Sequence, residues 1–385
     1  MRDKEPSGLQ LTKRGFLRLC GAGVSLIPAV SLTGFPVAGR TQTSGKGFVR
    51  TRSAAYVTPL DKGDIQCGLC PRRCRVQNNR RGYCRVRENR GGQFYSLVYG
   101  NPCAAHLDPI EKKPFFHVLP GTTAFSLATA GCNFHCKFCQ NWEISQVPPE
   151  DLYNHDLPPA VAVRKAMDMR ARSVAYTYVE PVVFYEYMLD TGHLAKKEGL
   201  LNVLHSNGFI NPEPLRDLCR ILAAANIDLK GFSDGFYKKL VGGTLDPVLE
   251  SLKILKRAKV HLEITNLVIP TENDDIPAIR AMCLWIKKEL SADTPVHFTR
   301  FYPLYRLQSL PPTPVSTLEK ARSAAQSAGL EYVYIGNVPG HAGENTVCPA
   351  CRKMIIRRIG FMVGEMHMKQ GKCGHCGKPI PGIWA

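Results

Sequence analysis

Gly131-Cys132-Asn133-Phe134-His135-Cys136-Lys137-Phe138-Cys139-Gln140-Asn141-Trp142 is the stretch from which the rest of the chain can be read. Its cysteines stand in C-x3-C-x2-C spacing, directly after an apolar run, 124–129, that reads as a β-strand. Soft thiolates in so short a loop suit an iron–sulfur cluster or zinc. A structural zinc site wants a fourth ligand, and His135 lies inside the loop, badly placed to reach the ion its neighbours would share. Three thiolates on a cubane cluster, by contrast, leave one iron without a protein ligand, and an open iron is a place for chemistry.

Downstream, short β-branched or apolar runs alternate with longer helical patterns. Candidate strands are 124–129, 173–178, 201–206, 226–229, 262–268, 296–300 and 332–335. Helical spacing falls at 159–170, 182–198, 214–224, 247–258, 276–290 and 317–328. Pro214 and Pro247 are expected in first helical turns, where proline is tolerated. Repeated alternation of this kind predicts an α/β fold with a parallel sheet and right-handed crossovers. Such sheets bind ligands at the carboxyl ends of their strands. Those ends carry Glu180, Ser206-Asn207-Gly208, Asp228 with Lys230, Thr265 and Gly336-Asn337. His205, beside Ser206, reads as a strand histidine with its hydrogen bonds satisfied. Tyr178, Arg300, Tyr302 and His341 are candidates to face a substrate, since they sit at strand ends or in the closing loop.

The 385 residues are 44% hydrophobic, enough for a substantial core and for two or three units. Fifteen cysteines are present, and eleven fall into three clusters, which points to metal before disulfides. Besides the triplet there is Cys67-x2-Cys70-x3-Cys74-x9-Cys84, a four-thiolate set suited to one tetrahedral ion or one cubane. Eight arginines between residues 72 and 90 thread it, and nearby cations favour thiolates. Cys348-x2-Cys351-x21-Cys373-x2-Cys376 is a pair of knuckles of zinc-ribbon or rubredoxin type, with strands expected within 355–363. Spacing leaves zinc or iron open at both flanking sets. Cys103, Cys219 and Cys283 read as solitary buried thiols.

The net charge is +18, and residues 1–90, with 18 basic and five acidic side chains, account for +13 of it. A nucleic-acid groove through the main body would spread its charge there instead, so nucleic acid is not expected as a partner. Residues 12–37 have a charged start and a short apolar stretch like a twin-arginine export signal, with Lys13 where that signal has its first Arg. Gly, Ser and Pro interrupt the apolar part, so no membrane span is expected. The regions expected are a signal-like or disordered basic tail at 1–52, a Cys/Arg-rich metal-binding region at 64–115 ending in a loop with Asp108-Pro109, a body at 121–340 and a Cys-rich module at 345–385.

The triplet, with Phe138 just before its last cysteine, resembles the signature of the radical S-adenosylmethionine (SAM) superfamily. That resemblance implies a partial (β/α)6 TIM-like barrel, with the N-terminal Cys-rich segment and a C-terminal zinc-ribbon-like module beside it. It implies a [4Fe-4S] cluster on Cys132, Cys136 and Cys139, whose open iron chelates SAM, and an electron donor. It implies cofactor contacts at Phe138, Glu180, Ser206, Asn207, Asp228, Lys230, Thr265 and Asn337, with Glu180 facing the ligand ammonium and Lys230 its carboxylate. Residues 67–385 further resemble the radical enzyme of the AmmeMemoRadiSam system, related to pyruvate formate-lyase activating enzymes. The residues that carry this include Gly82-Tyr83-Cys84-Arg85-Val86-Arg87, Asp108-Pro109-Ile110-Glu111-Lys112-Lys113-Pro114, Gly336 to His341 and Ile380 to Trp384. Membership implies Memo-type and AMMECR-type companion proteins and leaves the substrate open. The cofactors need cytoplasmic supplies, against the export-like head. Three functions follow as expectations: a radical enzyme abstracting hydrogen from a substrate, an activase installing a glycyl radical on a partner, and a metal-bound scaffold or nucleic-acid-binding protein.

Overall fold

Ser173–Tyr176 is buried at every position, and Ala224–Asp228 at all but its last. Strands covered on both faces belong in a parallel sheet with helices packed over it, and the chain builds one. The computed structural model describes residues 44–385; the signal-like stretch 12–37 lies outside the described residues. The main sheet holds eight strands: β1 (Ala104–Pro109), β2 (Thr123–Ala128), β3 (Ser173–Tyr176), β4 (Leu201–Ser206), β5 (Ala224–Asp228), β6 (His261–Val268), β7 (Val296–Arg300) and β8 (Val333–Gly336). They lie in sequence order across the sheet. β2 to β8 run parallel, and β1 alone is antiparallel, against β2.

Each parallel crossover carries a helix: α1 (Pro159–Asp168), α2 (Tyr185–Lys197), α3 (Pro212–Cys219), α4 (Asp246–Arg257), α5 (Ile276–Glu289) and α6 (Val315–Ser327). In α4 the buried positions Val248, Ser251, Leu252 and Leu255 recur at helical spacing, giving one inward face. The Asp275 side chain caps α5 by accepting from Ala278 N at 2.9 Å.

Several sequence expectations need correction. Asp108-Pro109 is not a loop: it ends β1, which pairs with β2 from Ala104↔Ala128 to Pro109↔Thr123. A proline is tolerated there because β1 is an edge strand, where one missing N–H costs no ladder bond on the open side. The helix placed at 214–224 starts two residues earlier, with Pro212 in its first turn, and stops at Cys219 because Ala224 already opens β5. Residues 44–52, read as the end of a loose tail, are tied to the body. Gly45–Lys46 pairs with Tyr153–Asn154, and Arg50 reaches Asp156 at 2.6 Å. Cys283 is buried, but Cys103 and Cys219 are partly exposed.

The N-terminal cysteine region forms two small antiparallel sheets, Val57–Pro59 with Ile65–Cys67 and Arg75–Val76, and Arg52–Ser53 with Gln93–Ser96 and Arg87–Arg90. It is anchored to α2 by Arg87, whose guanidinium bonds Glu186 at 2.9 Å with both side chains buried. It also leans on the cluster loop at Gly131, which has φ +90; a Cβ there would sit 2.6 Å from the Cys84 carbonyl oxygen. Only glycine permits both that conformation and that approach. At the other end, β9 (Thr346–Val347), β10 (Met354–Ile359) and β11 (Met362–Met366) form a further antiparallel sheet. The chain then returns to the body, where Ile383 exchanges backbone bonds with His117 and Leu119 at 2.7 Å. No helix among the described residues is long and apolar enough to cross a membrane.

Candidate active site

The carboxyl ends of the parallel strands and the loop after β2 surround a pocket of about 1800 Å³ of space between atoms, open at its mouth. Cys132, Cys136 and Cys139 all face it, as do Phe138, Glu180, Ser206, Asn207, Asp228, Lys230, Thr265 and Asn337. One loop brings the three thiols together because β2 ends at Ala128 and the chain turns through Gly131 before Cys132. The Cys132 sulfur accepts from Phe134 N at 3.3 Å and from Asn207 Nδ2 at 3.9 Å, and the Cys139 sulfur lies 3.2 Å from Ser145 Oγ. No fourth protein thiol is in the pocket lining. Three soft donors with N–H groups aimed at one of them suit a cubane cluster with an unligated corner.

Next to the thiols, Glu180 is 2% exposed. Its carboxylate accepts from Ser206 Oγ at 2.7 Å, Asn207 N at 2.8 Å and Val182 N at 3.0 Å. Burial raises its pKa above the ordinary carboxyl value despite these donors. The group is thus fixed in direction, and a cation entering the pocket would relieve the cost of its burial.

Asp228 stands between two bases, with Lys230 Nζ at 2.9 Å and His205 Nε2 at 3.0 Å. Burial works against its charge, but Lys230 and His205 outweigh it and hold the carboxyl well below the usual range. Lys230 responds in kind: burial disfavours its charge, and Asp228 with the Cys136 sulfur more than restores it. Lys230 is therefore a permanent ammonium facing the cysteine loop. His205 is the strand histidine expected, with Nε2 satisfied by Asp228, and it also lines the pocket. Thr265 donates to Asn226 Oδ1 at 2.8 Å, and Asn337, with φ +60, donates to Arg300 O at 3.2 Å.

Among the substrate-facing candidates, Tyr178 lines the pocket, whereas Arg300, Tyr302 and His341 are not in its lining. Arg300 donates to Thr313 O at 2.8 Å and lies 3.3 Å from the Tyr302 hydroxyl, and His341 sits 3.2 Å from Glu319. Backbone and surface partners satisfy all three. Tyr178 adopts φ +66, which costs a non-glycine residue roughly 1–2 kcal/mol. Its carbonyl accepts from Asn141 Nδ2 at 2.6 Å, and its hydroxyl donates to Asp108, which also binds Lys113 at 2.6 Å and Lys112 at 2.8 Å. Burial lowers the Lys113 pKa to about 8, against the pull of Asp108.

Sequence reasoning missed the support that lies beneath Phe116 and His297 of the pocket lining. Glu263 is fully buried and accepts from Phe116 N, His117 N at 2.9 Å and His297 Nε2 at 2.7 Å. It also missed the wall supplied by the C-terminal module, where Glu344, Gly360 and Phe361 reach the pocket. An acidic residue inside an apolar strand pattern was the available signal for Glu263. The Gly360 turn between β10 and β11 gave no sign of which way the hairpin points.

The flanking cysteines are held differently from each other. The sulfurs of Cys348, Cys351, Cys373 and Cys376 all lie within 4.8 Å of one another. Cys67, Cys70, Cys74 and Cys84 instead line a separate cavity.

Residues 126–282 match the sequence model of the Radical SAM superfamily. An uncharacterized protein of Methanocaldococcus jannaschii is 44% identical over 331 residues, covering 86% of this chain and 98% of the relative. The pyruvate formate-lyase 1-activating enzyme of Escherichia coli K12 is 29% identical over 153 residues, which are 38% of this chain and 61% of the activating enzyme. Among solved structures, a radical SAM methyltransferase from Sphaerobacter thermophilus aligns with a TM-score of 0.45 at 13% identity, over 75% of this chain and 81% of that one.

Proposed function

The chain belongs to the radical SAM superfamily, and from that premise we propose that its strand-end pocket holds a [4Fe-4S] cluster on Cys132, Cys136 and Cys139 with SAM beside it. The protein is a radical SAM enzyme, and that cluster and SAM are its cofactors. When bound, they supply reductive cleavage of a carbon–sulfur bond of SAM, giving a 5′-deoxyadenosyl radical that takes hydrogen from a substrate. The single observation supporting the assignment of the site is that three thiols and a pre-oriented buried carboxylate face one pocket.

The chain's own groups then have distinct tasks. Glu180, held by Ser206, Asn207 and Val182, accepts from the SAM ammonium. Lys230, kept charged by Asp228, balances the SAM carboxylate and the anionic cluster. Asn337 and Thr265 bound the nucleoside end, and Phe138 walls the cluster from solvent. Anaerobically reconstituted protein with dithionite should release 5′-deoxyadenosine, and C136A should release none. Absence of product from the wild-type protein, with C136A behaving identically, would sink the assignment.

The finer reading is an AmmeMemoRadiSam enzyme acting in the cytoplasm with Memo-type and AMMECR-type companions and a one-electron donor. It is supported by the motifs at 108–114 and 336–341. Co-elution of the purified companions with this chain in gel filtration tests it. We read 121–340 as a partial (β/α)6 TIM-like barrel, 64–115 as a metal-binding segment and 345–385 as a zinc-ribbon-like module. Similarity to an activating enzyme favours a second reading, installation of a glycyl radical on a partner protein. An electron paramagnetic resonance (EPR) doublet on a mixed partner would establish that reading.

A further inference from the structure

Cys67, Cys70, Cys74 and Cys84 line a cavity distinct from the strand-end pocket. Leu69, Phe94, Val182 and Val183 complete an apolar wall. The spread of its sulfurs separates this site from the C-terminal quartet. There, Cys348 and Cys376 sulfurs are 3.6 Å apart, and those of Cys351 and Cys373 3.8 Å. Zinc–sulfur bonds of about 2.3 Å in a tetrahedron place sulfurs about 3.8 Å apart, so that quartet is sized for one ion. Among the described residues, no three sulfurs of the N-terminal set gather even within 4.8 Å. They stand around a space instead, as the ligands of a cubane do.

A second observation comes from Arg87, which lines the cavity and is 1% exposed. Its terminal nitrogens bond Glu186 and the Ala55 carbonyl, but its Nε–H has no partner. A buried guanidinium N–H left unpaired costs more than a neutral one, and the sulfur of an anionic cluster is the acceptor it lacks.

We propose that this cavity holds a fully ligated [4Fe-4S] cluster that relays electrons to the open cluster of the strand-end pocket. The relay, though not the cluster itself, rests on the radical SAM reading of that pocket. The two ligand loops touch: Asn133 lines the cavity and directly follows Cys132, its carbonyl accepts from Arg72 Nε at 2.6 Å, and Gly131 abuts the Cys84 carbonyl. In the relay, a low-potential flavin or iron–sulfur protein reduces the closed cluster by one electron. The closed cluster is reoxidised as that electron reduces the open one, and no bond or proton changes hands. With every iron ligated, the closed cluster does not bind SAM.

The experiment is iron, sulfide and zinc counting on anaerobically reconstituted full-length protein, followed by EPR of the dithionite-reduced state with and without SAM. About eight irons and eight sulfides per chain are expected. The variant C132S/C136S/C139S should keep about four of each, with a signal that SAM leaves unchanged. C67S/C70S should keep about four, with a signal that SAM shifts. In fully reduced wild-type protein the two signals should broaden each other. A wild-type count of about four irons, with zinc or a two-iron centre following the Cys67 set, overturns the cluster, and that count decides even where a variant fails to fold. Two signals without mutual broadening overturn the relay. If the C67S/C70S signal ignores SAM, the pocket reading and the relay fail while the closed cluster stands.

Discussion

Glu180 has three hydrogen bonds from its own protein before any ligand arrives, so its replacement isolates charge from position. E180Q keeps the shape but brings an NH2 group against donors. A hydrogen bond to a charged group contributes about 1.5–3 kcal/mol. SAM affinity, measured by calorimetric titration, is therefore expected to fall about 10- to 100-fold with the iron content unchanged. His117 offers a test by pH. It is wholly buried, with Nδ1 2.6 Å from Pro381 O and Nε2 2.6 Å from the Tyr334 hydroxyl, an arrangement that a neutral ring satisfies. Burial lowers its pKa from 6.5 to about 3. Above pH 6.5 the ring is neutral folded or unfolded and contributes nothing to the pH dependence. Below it the unfolded chain takes up a proton that the folded chain refuses, so stability declines as pH falls towards 3. Between pH 6.5 and 5 the loss is about 2 kcal/mol. Urea midpoints at pH 7 and pH 5 should diverge less in H117Q than in the wild-type protein.

At the level of elements, the cluster loop depends on one glycine. G131A would force a Cβ to within 2.6 Å of a backbone oxygen at φ +90, and a cost of about 2–4 kcal/mol is expected from strain and displacement together. Thermal unfolding should show the lower midpoint, and iron content should fall with it because the displaced loop carries Cys132. L252A, on the fully buried face of α4, should cost about 2–5 kcal/mol by opening a cavity, with no change in iron per folded chain. The strands and helices were readable because helical spacing, as in α4, and short buried runs with β-branched residues, as in β8, follow directly from which faces meet the core. Their ends were less readable. The boundary at Cys219 depends on where β5 must begin to pair with β4, and the strand nature of Asp108-Pro109 depends on an edge position, neither of which is local information. The pocket's strand-end residues were likewise legible from topology. The partners of Glu263 and His117 were not, because each is joined to residues tens to hundreds of positions away.

Across the whole molecule, the C-terminal module closes one side of the pocket, since Gly360 and Phe361 at the β10–β11 turn line it. Its cysteine quartet therefore supports the site from a distance. If the quartet holds zinc as proposed, C348A/C351A is expected to lose about one zinc per chain while keeping the iron of the strand-end pocket. The weakened module should also raise the SAM dissociation constant several-fold, as fluorescence titration of wild-type and variant proteins can show. Arg358 reinforces the connection, buried between the module and the Phe116 carbonyl at 2.7 Å. At the other flank, the bare Cα of Gly131 rests on the Cys84 carbonyl, which makes the two cysteine loops one mechanical body. A displacement of either loop is then felt by the other, although each set of thiols keeps its own place in the fold. Emptying one set should therefore loosen the other's hold without abolishing it, and the iron left in either cysteine variant is expected to leave faster in air than the same iron in the wild-type protein.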